Sequence, residues 1–443
     1  MIDWIRTGTA TAVLAGDPQH ALAVTAEEVA AAPPLRNRPF ALSPTALFLE
    51  ASGARAHAAR VESYVALLDK LLALYRSDPR VREFFGLSAA AERLVRAGEE
   101  SLDRVTVARI DGYLDLESGR LRVLENNADA PAGAVFTPRI NTAVAAVHRR
   151  LGLDGDAGAA YPFRDDRAFA SLLLEEARRH GSSVAAPRIA VLQPRDAAGV
   201  ESVELVAQLS SLGATAFLAD PRDLEVDGRQ VSFAGRRADL CWNKVNTVLW
   251  QRLVESSPGL VDLWCRALAS ERFLHLNPMA ARYVAENKTA LALVQTPAFA
   301  GHFDPAERAL VAELLPWSRS LRARTDLPDE AEIRARAPEF VIKEPYDIRG
   351  DGVLVGRSAR ADHWAAAVAL GGREGFLLQE YVPPVGVPVL REDGRTVPMA
   401  VSLDSFVWAG RFVGFGSKAS TSDRVNVFQG GRKLSVRVSG DQP

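Results

Sequence analysis

The amino-acid sequence predicts a mixed protein with α+β and α/β parts. Three patterns indicate this class: apolar residues spaced near 3.6 over 43–100, a strand–helix–strand rhythm that begins at 187, and short alternating strands over 339–443. A chain of 443 residues also exceeds what one hydrophobic core usually holds. We therefore expect a helical region with a β hairpin at 1–182, a Rossmann-like unit with a parallel sheet at 183–287, and a β-rich region at 288–443.

The elements are expected in the following order. Ser43 is a candidate N-cap for a long helix, with Pro44 at its first position. A period of two over 104–127 predicts a hairpin whose turn is "ESG". Further helices are expected at about 138–151, over 163–181 and near 258–270, with strands at "PRIAVLQP" and "ATAFLADP" and mostly hairpins after 339.

Composition excludes several classes of protein. The net charge of −2 gives no general attraction to nucleic acid or to a membrane surface. Two cysteines, both in apolar surroundings, do not make a disulfide framework or a cysteine-based zinc site. The sequence shows no signal-peptide pattern and no run of eighteen apolar residues, so we expect a cytoplasmic protein.

A lysine and a glycine-rich loop follow each other in "EFVIKEPYDIRGDGVLVGRS". Lys343 ends an apolar strand, and Gly350, Gly352 and Gly356 precede another strand-like segment. No helix opens at these glycines, so they do not match the dinucleotide or P-loop patterns. A glycine loop between two strands can fold its backbone amides over phosphates, to which Lys343 would add a positive charge. The alternative is a flexible surface hairpin.

A second strand adds to this pattern. The strand "GFLLQEYVPP" can offer backbone groups to adenine and a carboxylate to a ribose hydroxyl, or it can be an edge strand that Pro383 ends. Its last residues are Gln379, Glu380, Tyr381 and Val382. Only six of the 53 basic residues are lysines, and three of these lie in apolar stretches, namely Lys244, Lys288 and Lys343. We interpret Lys70, Lys418 and Lys433 as surface lysines, and an isolated Lys288 would be interpreted in the same way.

The order of Lys288, Lys343, the glycine loop and "QEYV" resembles the nucleotide-binding half of the ATP-grasp superfamily. This resemblance implies that two lysines and the loop clamp ATP between two α+β subdomains. The E-x-N motif of that superfamily commonly follows the lysines, but no glutamate follows Glu392 here. Its match is upstream, in Glu125-x-Asn127-x-Asp129-x-Pro131, preceded by Arg109-x-Asp111. Such an order resembles the circularly permuted, glutathionylspermidine synthase-like branch.

The hairpin that carries these motifs has a physical interpretation of its own. If "ESG" is a three-residue loop with Gly119 in the left-handed conformation, Asp111 lies opposite Glu125 and Arg109 opposite Asn127. Opposed carboxylates repel, so the register is best explained by a cation between them. Mg²⁺ prefers such hard oxygen ligands, and Asp111, Glu125 and Asn127 are the candidates. The alternative is a polar strand end with an Asx turn before Pro131.

The resemblance implies an ATP-dependent carboxylate–amine ligase. ATP would phosphorylate a carboxylate, and an amine would displace phosphate from the acylphosphate to give an amide, ADP and phosphate. We expect small-molecule substrates, such as amino acids or peptides in natural-product assembly, and neither nucleic acid nor membrane partners. An arginine near the transferred phosphate is expected, with Arg109, Arg349 and Arg424 as candidates. Lys244, at the end of a predicted parallel strand, is a candidate substrate contact.

Two other functions remain open at this point. A small-molecule kinase would need the same nucleotide site but no amine pocket. A non-catalytic ATP-binding protein would keep the site without turnover. The chain also departs from glutathionylspermidine synthase itself, since no Cys/His pair suited to amide hydrolysis is found, so we do not expect glutathione and spermidine to be its substrates.

Overall fold

The computed structural model describes residues 1–32, 41–153, 163, 165–180, 186–197, 199–257, 259–322, 326–347, 350–427 and 430–439. The described helices are α1 (Trp4–Gly16), α2 (Pro18–Ala31), α3 (Ala51–Ser77), α4 (Pro79–Phe85), α5 (Ala89–Ala97), α6 (Phe136–Arg150), α7 (Ala168–Arg179), α8 (Val200–Ser211), α9 (Thr247–Ser256), α10 (Leu260–Leu268), α11 (Ala290–Leu293), α12 (Pro305–Leu314), α13 (Glu330–Ala335) and α14 (Ala361–Glu374).

The described strands are β1 (Ala41–Leu49), β2 (Val107–Leu114), β3 (Leu121–Asn127), β4 (Arg188–Leu192), β5 (Thr215–Ala219), β6 (Leu224–Asp227), β7 (Gln230–Phe233), β8 (Arg236–Arg237), β9 (Leu240–Asn243), β10 (Leu274–Leu276), β11 (Ser318–Ser320), β12 (Phe340–Lys343), β13 (Val353–Val355), β14 (Leu377–Glu380), β15 (Gly386–Leu390), β16 (Thr396–Trp408), β17 (Arg411–Ser420) and β18 (Arg432–Val438).

The largest sheet combines strands from both ends of the chain. Its order is β1-β18-β17-β16-β2-β3, with β15 also paired to β16. The β1–β18 pair is parallel and the other pairs are antiparallel. One face packs against α3, where the His57 imidazole lies 2.7 Å from the Ser405 hydroxyl. On the opposite face α6 lies over β17, because a Cβ on Gly416 would come within 3.1 Å of the Thr137 side chain.

The predicted start of the first long helix was wrong. Ser43 and Pro44 lie in the buried strand β1, and α3 begins only at Ala51. The Ser43 hydroxyl donates to the Leu390 carbonyl at 2.7 Å instead of capping a helix. Its neighbour β18 lies almost 400 residues away (Leu42 pairs with Lys433), so no local pattern could reveal this strand.

Three smaller sheets complete the described fold. β5, β4, β9 and β10 form an all-parallel sheet, and β6, β7 and β8 form a small antiparallel one. The antiparallel sheet β11-β14-β12-β13 packs against α13 and α14 through Ile333, Trp364 and Val368. The region after residue 339 is mostly strands, as expected, but it also contains the unpredicted α14, whose two glycines lower its helix propensity. No described helix is long and apolar enough to cross a membrane.

Candidate functional site

Charged side chains form a row across one face of the large sheet. Glu125 pairs with Asp111 on the neighbouring strand, and Asp111 pairs with Asp404 on the next. Lys418 and Lys433 pair directly across β17 and β18. Side chains alternate between the two faces of a strand, and the residues between these, such as Ile110 and Ser405, face α3. The row therefore begins with Glu125 on β3 and ends with Lys418 on β17 and Lys433 on β18.

The predicted hairpin register is confirmed for the residues of the two motifs. Asp111 lies opposite Glu125 and Arg109 opposite Asn127, and Gly119 has a positive φ of 63°. The turn differs from the expected one, since Gly112 pairs with Val123, and a bulge at Leu124 restores the predicted pairing. A bulge leaves one residue out of the ladder. Its carbonyl is used elsewhere, because the Leu124 oxygen accepts a hydrogen bond from Lys343 Nζ at 2.8 Å.

Asp111 is held by two cations. Arg109 donates to both of its carboxylate oxygens, at 2.6 and 2.9 Å, and Lys418 Nζ donates to Oδ2 at 2.9 Å. Burial alone would raise the pKa of Asp111, but Arg109 and Lys418 outweigh it and hold that pKa well below its usual range. Lys418 also lies 3.1 Å from Asp404. Lys418 is thus a largely buried member of the site, with 14% of its side chain exposed, and its interpretation as a surface lysine was wrong.

Lys288 lies between two carboxylates. Its Nζ is 3.2 Å from Glu125 Oε1 and 2.6 Å from Asp347 Oδ1, and the side chain is fully buried. Burial lowers the pKa of Lys288, but Glu125 and Asp347 outweigh it and raise that pKa above its usual value. Asp347 was not among the residues that the sequence pattern predicted. The only signal was an acidic residue four positions after Lys343, at the entrance to the glycine loop.

Lys343 is buried without an ion pair of comparable closeness among the described residues. Its Nζ donates to the Leu124 carbonyl at 2.8 Å and to Gln379 Oε1 at 2.7 Å. Burial, reinforced by nearby Lys288, lowers the pKa of Lys343 to about 8. Gln379 is held in turn by Ser318, to whose hydroxyl it donates at 3.1 Å. This amide therefore positions the lysine.

The glycine loop joins β12 to β13. The Glu344 amide donates to the Gly352 carbonyl at 2.9 Å, which closes the base of the loop. A Cβ on Gly352 would lie 2.9 Å from the Cβ atoms of both Asp347 and Glu344, so only glycine lets the loop fold this tightly. Gly356 packs even closer to backbone: a Cβ on this residue would lie 1.9 Å from the Ala337 carbonyl oxygen. Gly356 therefore serves the packing of the sheet.

The three candidate arginines differ in where they lie relative to the candidate site. Arg109 lies in the site, against Asp111. Arg424 Nη1 donates to the carbonyls of Gly350 and Val353, at 3.2 Å each, and so contacts the glycine loop. Arg349 lies outside the described residues.

The predicted adenine edge is partly engaged in the fold. The amides of Glu380 and Tyr381 donate to the carbonyls of Trp317 and Glu339, at 2.8 and 2.7 Å. The Glu380 carboxylate accepts from the Trp317 amide at 3.1 Å. Val382 follows as a buried residue. A cavity of about 780 Å³ adjoins this edge, and its lining includes Trp317, Arg336, Phe340, Arg357, Glu380 and Tyr381.

Lys244 contacts the turn that follows the E-x-N segment. It pairs with Glu201 at 3.1 Å and donates to the carbonyls of Ala130 and Pro131, at 3.2 and 2.8 Å. Glu201 accepts from the Gly133 amide at 2.9 Å. These contacts hold the turn that follows the E-x-N segment, and the role of Lys244 as a substrate contact stays a prediction.

The donor groups near Lys288 suit a hard divalent cation. No three described His, Cys, Asp or Glu side chains lie close enough together to hold a metal without other ligands. Mg²⁺ needs only one or two carboxylates when phosphates and water complete its shell. Glu125 and Asp347 provide two, and Asp347 Oδ2 is a buried oxygen with no hydrogen bond among the described residues. Both oxygens of Asp111, by contrast, already accept hydrogen bonds.

Comparisons with known proteins give a likeness in structure only. No family model matches the chain, and no curated protein sequence matches it. A glutathione synthetase-like effector from Globodera pallida superposes with a TM-score of 0.59 and 12% identity over 95% of this chain and 96% of the other. A provisionally assigned gamma-glutamylcysteine synthetase from Methylobacillus flagellatus gives a TM-score of 0.42 at 14% identity, covering 84% and 87%. The chain therefore shares the mixed α+β fold of the glutathione synthetase-like effector.

Proposed function

We propose that the chain is an ATP-dependent carboxylate–amine ligase with a circularly permuted ATP-grasp arrangement, like that of glutathionylspermidine synthases. One observation supports this most strongly. The lysine and E-x-N segments are far apart in the chain, yet Lys343 bonds to Leu124 across 219 residues, and Lys288 pairs with Glu125 beside it. The fold shared with a glutathione synthetase-like protein is consistent with the proposal.

Lys288 and Lys343 would hold phosphate oxygens of ATP, and the loop that contains Gly350 and Gly352 would close over them. Gln379 to Val382 would line the adenine and ribose end. Glu125, Asn127 and Asp347 would hold Mg²⁺, with Asp347 taking the place first given to Asp111. When bound, Mg²⁺ would neutralise charge on the β- and γ-phosphates.

The residues of the sheet would serve the transferred phosphoryl group. A substrate carboxylate oxygen forms a bond to the γ-phosphorus while the bond to the β-phosphate oxygen breaks, which gives an acylphosphate and ADP. Arg109 and Lys418, both fixed by Asp111, would stabilise the negative charge on the transferred group. An amine nitrogen then attacks the acyl carbon, phosphate leaves with the bonding electrons, and the nitrogen loses a proton. The glycine loop would exclude water from the acylphosphate.

The substrates in this proposal are a small carboxylate and an amine, amino acids or peptides in kind, and natural-product assembly is a suitable setting. The units 1–182, 183–287 and 288–443 would supply the E-x-N hairpin, a substrate-binding unit and the nucleotide-binding residues respectively.

Product analysis tests the proposal. The protein is incubated with Mg-ATP, pooled amino acids and small peptides, and hydroxylamine, which traps acylphosphates as hydroxamates. ADP with a hydroxamate is expected and identifies the carboxylate. AMP with a hydroxamate would mean adenylation and would overturn the assignment. A stable phosphorylated product without hydroxamate would indicate a kinase, and no ATP turnover with any pool would favour a non-catalytic ATP-binding protein.

A further inference from the structure

Lys433 is a second lysine of the charged row that the proposed reaction leaves without a role. It pairs with Lys418 across β17 and β18, so the two side chains share a face of the sheet. Its ammonium interacts electrostatically with Asp404, Arg109 and Asp111 as well as with Lys418. Lys433 therefore lies in the candidate site, and its interpretation as a surface lysine was wrong.

The Lys433 ammonium has no hydrogen bond or ion pair with any residue that the structure describes. Nearby Asp111 and Asp404 are both used by Lys418, at 2.9 and 3.1 Å. The sequence stretches 33–40 and 428–429, next to β1 and β18, contain no Asp or Glu. Burial, reinforced by Lys418 and Arg109, lowers the pKa of Lys433 to about 8.

The charges of this cluster do not balance. Glu125, at the other end of the row, is already paired with Lys288. The remaining members are three cations, Arg109, Lys418 and Lys433, and two carboxylates, Asp111 and Asp404. Among the described residues one positive charge is therefore left over, on Lys433. A half-buried ammonium without a counter-charge is unfavourable unless an anion joins it. A single excess charge matches a carboxylate better than a doubly charged phosphate.

We propose that Lys433 binds a carboxylate that one of the two ligation substrates carries at a distance from the bond being formed. That substrate is then an amino acid, a dicarboxylic acid or a peptide with a free carboxylate. The inference rests on the proposed ligase function. Two sources share this chemistry: the carboxylate of an amino-acid amine donor, and the second carboxylate of a dicarboxylic acyl substrate.

Competitive acetylation of the full-length protein with acetic anhydride tests the site without ATP. Mass spectrometry follows Lys433, with Lys70, whose side chain is 37% exposed, as the internal reference. The probes are glycine, glutarate, their neutral analogues glycinamide and glutaramide, and sulfate. We expect at least a threefold slower acetylation of Lys433 with glycine or glutarate and no change with the neutral amides. Protection by glycine alone assigns the bound carboxylate to the amine substrate, and protection by glutarate alone assigns it to the acyl substrate. Protection by both shows that Lys433 binds the carboxylate group that the two probes share.

Three results would overturn the inference: no protection by either carboxylate, equal protection by the neutral analogues, or protection by sulfate alone. Because the assay contains no ATP, Lys433 can be protected even if the hydroxamate assay rejects the ligase assignment. Likewise, the ligase assignment can hold even if no carboxylate protects Lys433. With a substrate identified by the hydroxamate assay, Lys433→Met should raise the KM of the carboxylate-bearing substrate roughly 10- to 100-fold with little change in kcat, and Lys433→Arg should restore most of the affinity.

Discussion

The site contains two pairs of lysines, and each pair has one lysine held by carboxylates and one without them. Lys288 contacts Glu125 and Asp347, while its neighbour Lys343 has only carbonyl and amide oxygens. Lys418 contacts Asp111 and Asp404, while Lys433 has no partner among the described residues. The pKa values follow the same division: carboxylates raise those of Lys288 and Lys418, and burial lowers those of Lys343 and Lys433 to about 8.

This difference separates two roles for a buried ammonium. A lysine between two carboxylates contributes to the folded state, because removing it leaves buried negative charge without compensation. A buried lysine without a counter-charge costs stability in the free protein and recovers that cost when an anion binds. The paired lysines thus organise the site, and in the proposed reaction the lysines without a described ion pair would bind negatively charged ligands, a phosphate at Lys343 and a carboxylate at Lys433.

The largest expected effect comes from Glu125, the carboxylate shared by Lys288 and the proposed metal site. Glu125→Gln should lower Mg-ATP turnover roughly 1,000-fold, because a preorganised charge at the phosphates is lost. ADP release measures this effect. Glu117→Gln, in the exposed turn of the same hairpin, is the control and should keep wild-type turnover. Wild-type turnover in Glu125→Gln would contradict the proposed site.

The paired and unpaired lysines should differ in their effect on folding. Lys288→Met leaves Glu125 and Asp347 facing each other and should lower the free energy of unfolding by about 3 kcal/mol. Lys343→Met removes an unpaired buried charge and should leave that free energy unchanged or raise it. Urea unfolding of both variants measures this difference, and ATP affinity should fall in both. Equal destabilisation would show that the two lysines do not play separate roles.

The pH dependence of stability should reveal the lowered pKa of a lysine without a described ion pair. The pKa of Lys433 is about 8 in the folded protein and near 10.5 in a free lysine, so the unfolded chain holds more protons between these values. The lysine therefore makes stability rise as pH increases from about 8 to 10.5, since the cost of burying its charge disappears. Lys433→Met should remove part of that rise in urea unfolding at a series of pH values. Parallel curves for wild type and variant would contradict the lowered pKa.

The glycine loop should affect the two lysine pairs unequally. Gly352→Ala would push against Asp347 and so disturb Lys288, and we expect roughly tenfold weaker ATP binding by calorimetry. Gly350→Ala is the matched control: its φ of 76° costs about 1 kcal/mol of stability for a residue with a side chain, but its Cβ would approach only Asn426, at 3.4 Å. Carboxylate protection of Lys433 should be the same in both variants.

The smallest effect is expected outside the site. Lys70 pairs with Glu307 at 2.7 Å on the surface, where solvent screens the interaction. Lys70→Met should change the free energy of unfolding by about 0.5 kcal/mol and leave ATP binding unaltered. A loss as large as that of Lys288→Met would show that burial does not account for the difference between paired lysines.

The sequence was sufficient to predict features that depend on short-range patterns. Strand alternation and a glycine turn predicted that Asp111 lies opposite Glu125. In the structure this pairing also depends on a bulge at Leu124, which no sequence pattern indicates. Helices α6, α7 and α10 also lie where periodicity predicted them.

Features that depend on distant strands could not be predicted. Lys418 follows a glycine and a serine in a polar context, and only its pairing with β16 and β18 shows that it is buried. Lys433 and β1 were misinterpreted for the same reason. Asp347 was missed because one acidic residue in a loop carries no periodic signal, and its role is visible only beside Lys288.

The strand order of the large sheet has a consequence for synthesis of the protein on the ribosome. Asp111 and Lys418 are 307 residues apart in the chain, and β2 meets β16 only after both have been translated. At ordinary translation rates the E-x-N hairpin waits roughly 15 to 60 s for its partner strands. During that time the β2 edge of the hairpin is unpaired and open to association with other nascent chains. Chaperone binding to nascent chains that end between β3 and β16 is therefore expected, and the charged row is among the last parts of the molecule to assemble.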